Sequence, residues 1–285
     1  MRIGTGLPNQ VRNVRPEVIP AWAKLAEELS FTALTTVGRY AYPGVSDTVT
    51  LAAAAAVTSQ IELIPGVLLA PTWPGTLLAK ELAGIDGISG GRLTLGLGVG
   101  QRLDDFVAEG YGPKARGARF DRDLETFHEV WSGEPVGGGS SPAVPSGTRQ
   151  IPMLFGGFAP AALARMARWG EGYIGGSLPA SMASPMFDAA RNAWSEAGRE
   201  GSPRLVALVY YALGDGEAGK ANVYDYYNVE GGGDFANLAS GALCDTPAKV
   251  KEAISAFGDL GIDEIMFNAG TDDIDDVKRL AEIVF

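Results

Sequence analysis

Short apolar runs alternate with longer amphipathic stretches from one end of the chain to the other. The run 61–69 is almost continuously apolar, as expected of a strand buried on both faces of a parallel sheet. The stretch 118–131 instead places its apolar residues at helical spacing. This pattern predicts about eight strands, at residues 2–6, 31–37, 61–69, 92–97, 153–155, 173–174, 205–213 and 264–268. Helices are predicted between and after them, at residues 22–29, 52–57, 75–88, 118–131, 159–169, 189–197, 247–260 and 274–283.

Such an alternation over 285 residues admits two architectures, a closed barrel and a doubly wound open sheet. The dinucleotide fingerprint GxGxxG is missing after the first strand, which argues against the open sheet. We therefore predict an α/β fold: a single parallel (β/α)8 TIM barrel with loop insertions, spanning residues 1–285 as one domain. The Gly-, Ser- and Pro-rich stretch 137–147 is predicted to be a loop. In such a barrel the ligand site lies at the carboxyl ends of the strands.

Composition restricts the classes of function. Hydrophobic residues make up 46% of the chain and charged residues 20%, which is enough apolar surface for a large core. The net charge of −11 argues against nucleic acid as a partner, because such binding needs a basic surface. The single cysteine, Cys244, excludes an internal disulfide and a cysteine-cluster metal site. No stretch reads as a signal peptide or a membrane span, so we predict a cytoplasmic protein that has no membrane partner and binds no metal.

Several segments carry a resemblance to a known family. They are GVLLAPTW at 66–73, LAKE at 78–81, IDGISGGR at 85–92, LGLGVG at 95–100 and IPMLFGG at 151–157. In this order and spacing they resemble the luciferase-like family of flavin-dependent oxidoreductases, and the similarity extends over essentially the whole chain. The resemblance implies a barrel whose cofactor, FMN or the deazaflavin F420, lies with its ring over the strand ends.

The resemblance also assigns residues to the cofactor ring. In the family, the residue pair after the third strand often forms a non-prolyl cis peptide bond that supports the ring. Here that pair is Gly66-Val67, followed by Leu68, and all three are predicted to bind the cofactor. Cis bonds between non-proline residues are rare and concentrate at functional sites. The alternative is that Val67 is an ordinary residue of a core strand.

Two glycine turns are predicted to hold the cofactor phosphate. The first is Gly156-Gly157-Phe158, where glycines let backbone amides approach an anion closely. The helix that starts near Ala159 adds the positive end of its dipole. The second, Gly175-Gly176-Ser177, follows the next strand and is predicted to supply further donors. Each turn alone is a weak signal, whereas two on successive strand ends support each other.

The end of the fourth strand is predicted to offer polar contacts to the flavin or its substrate. Gly100 and Gln101 are assigned to the cofactor site, and Gln101 and Asp104 are candidates for a part in catalysis. Arg102 is interpreted as a surface charge.

The chain departs from the family after its second strand, where relatives often carry an Asp-His or Asp-Arg pair near the ring. This chain has Gly38-Arg39, so the acid is missing. Arg39 is a third catalytic candidate, because it either pairs with an anionic ligand or holds a loop carboxylate. Tyr40, Tyr42 and Trp73 are predicted to line the substrate pocket, with packing roles as the alternative. The single histidine, His128, falls in a predicted outer helix and is interpreted as structural.

The leading hypothesis is a flavin- or F420-dependent oxidoreductase or monooxygenase that acts on a small organic substrate. The segment 67–73 favours F420 slightly over FMN. The alternatives are a non-catalytic homologue that stores the cofactor, and a flavin-independent barrel enzyme that binds a phosphorylated metabolite. A homodimer is expected, because dimers are common among members of the family.

Overall fold

All strands in the part of the chain that the structure describes are parallel and belong to one sheet. The computed structural model describes residues 1–108, 110–228 and 233–285. The spatial order of the strands is β3-β2-β1-β9-β8-β7-β6-β5-β4. Their bounds are β1 Arg2–Gly6, β2 Ala33–Thr36, β3 Glu62–Pro65, β4 Leu68–Leu69, β5 Leu95–Gly98, β6 Met153–Phe155, β7 Gly172–Gly176, β8 Arg204–Tyr211 and β9 Glu264–Ala269.

The sheet closes into a barrel because β3 and β4 are two parts of one extended run. β3 pairs with β2, and β4 pairs with β5 on the other side. Backbone hydrogen bonds from Leu63 to Arg92 and from Thr94 to Leu63, both 3.0 Å long, join the two edges. The predicted (β/α)8 barrel is therefore confirmed. The prediction of one strand over 61–69 is wrong, because the run changes its neighbour at Gly66-Val67.

Helices surround the barrel, and most lie where the periodicity places them. Helix α7 begins nine residues before the predicted 189, with Pro185 inside it, where a proline usually ends a helix. The long stretch between β8 and the next predicted helix contains α8 and α9, which the pattern did not predict. The bounds are α1 Val18–Glu28, α2 Asp47–Val57, α3 Gly75–Ser89, α4 Leu103–Val107, α5 Arg116–Trp131, α6 Pro160–Trp169, α7 Ala180–Glu196, α8 Gly216–Tyr227, α9 Gly233–Gly241, α10 Pro247–Asp259 and α11 Asp275–Val284.

The apolar core has two layers, because side chains alternate between the two faces of each strand. One layer packs between the barrel and its helices and includes Trp22, Phe155 and Phe267. The other fills the barrel interior, so the barrel is a packed core and not a pore. The interior residues are Ala33, Ile64, Leu154, Ile174, Val206, Leu208 and Met266, with Val67 packed against them.

Charged side chains close the amino end of the barrel. Arg204 donates two hydrogen bonds to Glu62, at 2.8 and 2.9 Å, and one to Glu264 at 2.6 Å. Arg2 reaches both glutamates, at 2.6 and 3.4 Å. Each of these four residues is the first of its strand, so the cluster lies at the end of the barrel opposite to the candidate site.

Candidate active site

The side chain of Val67 lies between the carboxyl ends of β5 and β6. The bond between Gly66 and Val67 is cis, as predicted. A Cβ atom on Gly98 would lie 2.7 Å from Val67 Cγ2, and one on Gly156 would lie 3.1 Å from Val67 Cγ1. Val67 therefore occupies the barrel mouth because both neighbours are glycines. Leu68, predicted to join it there, is fully buried and packs in the outer core layer.

The first glycine turn presents backbone donors. Gly156 donates its N–H to Leu97 and is part of the sheet edge. Among the described residues, the amides of Gly157, Phe158 and Ala159 donate no hydrogen bond. They lie immediately before α6, whose first residue, Pro160, has no N–H to offer. This end of α6 can accept an anion, because unpaired amides and the helix dipole favour negative charge.

The second glycine turn has fewer free donors. Gly175 and Gly176 belong to β7 and pair with β8. Ser177 donates its backbone N–H to Leu208 at 2.7 Å, and its hydroxyl accepts a hydrogen bond from Tyr227 at 3.1 Å. The turn is thus largely committed to internal contacts. Of the two predicted phosphate turns, the one before α6 is the better suited to bind an anion.

Arg39 holds the loops around the site together. Its guanidinium donates to Asp104 at 2.8 Å and to the carbonyl oxygen of Tyr226 at 3.3 Å. Arg102 donates to the same carbonyl at 3.1 Å and to Asp104. Asp105 is fully buried beside Arg39, 3.6 Å from its Nε. Arg39 was predicted either to pair with an anionic ligand or to hold a loop carboxylate. In the structure it holds a loop carboxylate, that of Asp104. Arg102 is not a free surface charge, which corrects its interpretation from the sequence.

Residues around the fourth strand end divide into two groups. Asp104 is bound by the two arginines and is half-exposed, which leaves it little freedom to act on a substrate. Gln101 is exposed and follows Gly100, whose φ of +81° is in the left-handed region that favours glycine. Gln101 is therefore the more accessible of the two candidates.

A pocket of about 190 Å³ opens between the loop after β2 and the end of β4. The three residues predicted to line a substrate pocket meet there: Tyr40, Tyr42 and Trp73. The rings of Tyr40 and Trp73 are perpendicular, with centroids 6.4 Å apart. Gly38, Arg39, Gly44, Ser46, Asp47, Leu69 and Thr72 complete the lining.

Asp47 is the pocket residue that the sequence did not single out as functional. It is the first residue of α2, where an acid is ordinarily interpreted as a helix cap, and it is only 8% exposed. Burial raises its pKa to about 6, against the opposing effects of Thr36 and Asn9. The sequence offered one signal for Asp47, which is the missing acid at position 38. The carboxyl group of Asp47, nine residues later, lies beside Gly38 in the structure.

His128 is remote from the pocket, as predicted. Its ring stacks on Trp169 of α6, with centroids 4.8 Å apart. Among the described residues, no group of three or more His, Cys, Asp or Glu side chains is placed to hold a metal ion. In the same part of the chain, no helix has the length and apolarity needed to cross a membrane.

Parallel (β/α)8 barrels bind their ligands at the carboxyl ends of the strands. In this chain a pocket and unpaired backbone amides lie at those ends. The chain belongs to the luciferase-like monooxygenase family, whose model matches residues 1–282. An uncharacterized protein of Mycobacterium tuberculosis, Rv0953c, is 33% identical over 169 residues. That match covers 56% of this chain and 60% of the relative, so the chain spans less than two thirds of the curated relative's length.

Solved structures resemble the chain over nearly its whole length. The monooxygenase RslO1 from Streptomyces bottropensis has a TM-score of 0.79 at 26% identity, covering 99% of this chain and 97% of that one. An F420-dependent secondary alcohol dehydrogenase, solved with an F420-acetone adduct, has a TM-score of 0.78 at 16% identity, covering 100% and 98%. The oxygenating constituent of 3,6-diketocamphane monooxygenase from Pseudomonas putida, solved with FMN, has 0.75 at 16%, covering 99% and 95%. At 16% identity the last two indicate a shared fold only.

Proposed function

We propose that the protein is an oxidoreductase that binds F420 or FMN and acts on a small organic substrate, with or without oxygen. The observation that carries this proposal is the pairing of two features on one face of the barrel. The unpaired amides before α6 suit a cofactor phosphate, and the pocket between the loop after β2 and the end of β4 suits a substrate. Membership of the luciferase-like monooxygenase family supports the same conclusion.

The residues at the barrel mouth fit a flat cofactor ring. Val67, with Gly98 and Gly156 on either side, offers a small apolar surface. Gly157, Phe158 and Ala159 would hold the phosphate through their amides. When bound, such a cofactor supplies hydride transfer, and the protein contributes binding, orientation and exclusion of water.

The substrate is proposed to be small. A pocket of about 190 Å³ is smaller than the sites that bind drug-sized ligands, which are roughly 300 to 1,000 Å³. Its lining combines aromatic rings with a few polar groups, as suits a compact organic molecule that carries one oxygen function. The segment 67–73 makes F420 the first choice of cofactor, with FMN as the second.

Cofactor titration tests this proposal directly. The purified protein is titrated with F420, FMN and riboflavin, and the quenching of its five tryptophans is followed. We expect saturable binding of F420 or FMN and weaker binding of riboflavin, which lacks the phosphate. If neither phosphorylated cofactor binds, the proposal fails. A flavin-independent enzyme for a phosphorylated metabolite then becomes the better hypothesis, whereas tight binding without any turnover supports cofactor storage.

The substitution Ala161→Glu tests the phosphate site. Ala161 is exposed in the first turn of α6, so a glutamate there would bring negative charge next to the unpaired amides. We expect the Kd of F420 or FMN to rise about tenfold, while the dipole of α6 keeps the fold as stable as before. The Kd of riboflavin should stay unchanged, because riboflavin has no phosphate to repel.

Ala164→Glu is the matched control. Ala164 is also exposed on α6 but lies one turn further from the amides, so its Kd values should match those of the wild-type protein. Equal weakening of FMN and riboflavin by Ala161→Glu would contradict this placement of the phosphate.

We also propose a homodimer. Helices α2 and α3 pack side by side and expose four large apolar side chains to solvent, those of Val49, Val57, Leu77 and Ile88. Apolar surface of this kind on adjacent helices suits contact with a second copy. Light scattering coupled to size-exclusion chromatography should give about twice the chain mass of 29.8 kDa, and a monomer mass would contradict the proposal.

A further inference from the structure

Asp47 occupies the space that any side chain at position 38 would fill. A Cβ atom on Gly38 would lie 1.7 Å from Asp47 Oδ2 and 2.4 Å from its Cγ. The carboxyl group therefore reaches the pocket wall only because residue 38 is a glycine. Gly38 and Asp47 both line the pocket. Because Gly38 has no side chain, a ligand in the pocket meets the carboxyl group of Asp47 at this position.

The carboxyl group of Asp47 is poorly compensated for a buried acid. Asn9 Nδ2 lies 3.5 Å from Oδ1, at the limit of a hydrogen bond, and the hydroxyl of Thr36 is nearby. Within the described residues, Asp47 forms no ion pair. Arg39, the cation of the pocket, is bound to Asp104 and to backbone carbonyls instead. A buried carboxyl group without a cation binds a proton more tightly than one in water.

We propose that Asp47 is the acid–base residue of this pocket and that its substrates carry a carbonyl or secondary hydroxyl group. This inference rests on the proposed function. In the reducing direction, the Oδ2–H bond of Asp47 breaks and its proton joins the substrate's carbonyl oxygen. A reduced cofactor bound at the barrel mouth would supply the hydride, with its two electrons, to the carbonyl carbon. The product is an alcohol, the cofactor is oxidised, and Asp47 is left as a carboxylate that regains a proton from solvent.

The other groups that face Asp47 leave this role open to it. They are Arg39, Tyr40 and Tyr42 from the loop after β2, and Tyr226 from α8, which donates a hydrogen bond to the carbonyl oxygen of Gly38. Burial raises the pKa of Tyr42 to about 12 and that of Tyr226 well above its usual value. Neither phenol therefore exchanges protons readily near neutral pH. A group that titrates near neutral pH is the better acid–base catalyst there.

The first test needs no cofactor. The infrared spectrum of the wild-type protein minus that of Asp47→Asn is recorded from pH 4 to 9, and the protonated carboxyl band is followed. We expect a band in the wild-type protein that disappears with a midpoint near pH 6. A midpoint near 4, the value of an ordinary aspartate, overturns the proposal.

The second test uses the loaded enzyme with acetone and cyclohexanone as probes. Asp47→Asn should lower kcat for ketone reduction by about 100-fold or more, with cofactor Kd unchanged. Reduction of ferricyanide by the reduced holoenzyme needs no proton from the pocket and should be unaffected. Gly38→Ala should also lower kcat, because its methyl group displaces the carboxyl group of Asp47 without removing it.

Asp123→Asn is the matched control. Asp123 is also buried, its pKa is also raised by burial to about 6, and it faces Gly75 outside the pocket lining. Its replacement should leave ketone reduction unchanged.

Wild-type kcat in Asp47→Asn would overturn the acid–base role while the proposed function stands. Failure of the wild-type protein to reduce either ketone would overturn the substrate class and this proposal with it. Failure to bind either cofactor would overturn both proposals.

Discussion

Replacing Arg204 by methionine should lower the free energy of unfolding by about 3–5 kcal/mol at pH 7, the range expected when one partner of a buried ion pair is removed. Arg204 is the shared partner of Glu62 and Glu264, and the side chain of Glu264 is fully buried. Methionine fills much of the same volume, so the loss reports chiefly on two carboxylates that keep the half-exposed Arg2 as a cation but lose Arg204. Chemical denaturation, followed by circular dichroism, measures it.

The pH dependence of this loss identifies its cause. Burial alone would raise the pKa of Glu62, but its bonds to Arg204, together with those to Thr94 and Arg2, outweigh burial and hold the pKa below the usual value. A depressed pKa stabilises the fold above the pKa of the unfolded chain, and this contribution is lost as the pH falls. Without Arg204, Glu62 gains a proton more easily, so the difference between wild type and Arg204→Met should shrink from pH 7 to pH 4.5.

Two further variants complete this test. Arg204→Lys keeps the charge without the two-pronged geometry and should lose less than Arg204→Met. Lys24→Met removes an exposed cation, 3.9 Å from Glu28, and should change stability by less than about 1 kcal/mol. A small and pH-independent loss in Arg204→Met would mean that the cluster contributes packing alone.

Asp47→Asn should stabilise the protein at neutral pH by about 2–3 kcal/mol, in contrast to its effect on catalysis. The pKa of Asp47 rises from 3.8 to about 6 on folding, so the folded state holds its proton more tightly than the unfolded chain does. Stability therefore falls as the pH rises from about 4 to 6, and the full cost is present above pH 7. Asparagine carries no charge and avoids this cost.

Thermal unfolding at several pH values measures the effect. The gain in Tm should be largest at pH 7–8 and should shrink steadily towards pH 4, because an aspartate with a pKa of 3.8 in the unfolded chain is still more than half ionised there. Asp47→Ala separates charge from packing, because it also removes the charge but leaves a small cavity and should gain less. A loss of stability in Asp47→Asn at pH 8 would show that the carboxylate is better compensated than its surroundings indicate. A gain in stability with a loss of activity is typical of catalytic groups held at an energetic cost.

The elements of the barrel were predictable where apolar runs are bounded by turns. The predicted bounds of β1 and β9 agree with the structure to within one residue, and the strand predicted at 205–213 corresponds to β8. Buried parallel strands carry this signal in their own residues, because both faces are covered. Helices α8 and α9 lacked such a signal, since their apolar residues pack against each other as much as against the barrel.

The candidate site was predictable in part. The cis bond at Gly66-Val67 and the amides before α6 come from short motifs, which a single sequence displays. The role of Arg39 cannot be predicted from a short motif, because the carbonyl group of Tyr226 that it binds lies 187 residues away along the chain. No local pattern reveals which distant carboxylate or carbonyl will meet a cation after folding.

The sequence by itself determined the parallel barrel, the family and the face where a ligand is expected, because periodicity, glycine turns and motif order are local properties. Only the tertiary structure decided which charged groups are bound to each other and which remain accessible in the pocket. It bound Arg39 and Asp104 to each other, and it brought the carboxyl group of Asp47 beside Gly38. The physical reason is that burial and ion pairing depend on contacts between distant segments, and these contacts decide which group can exchange a proton.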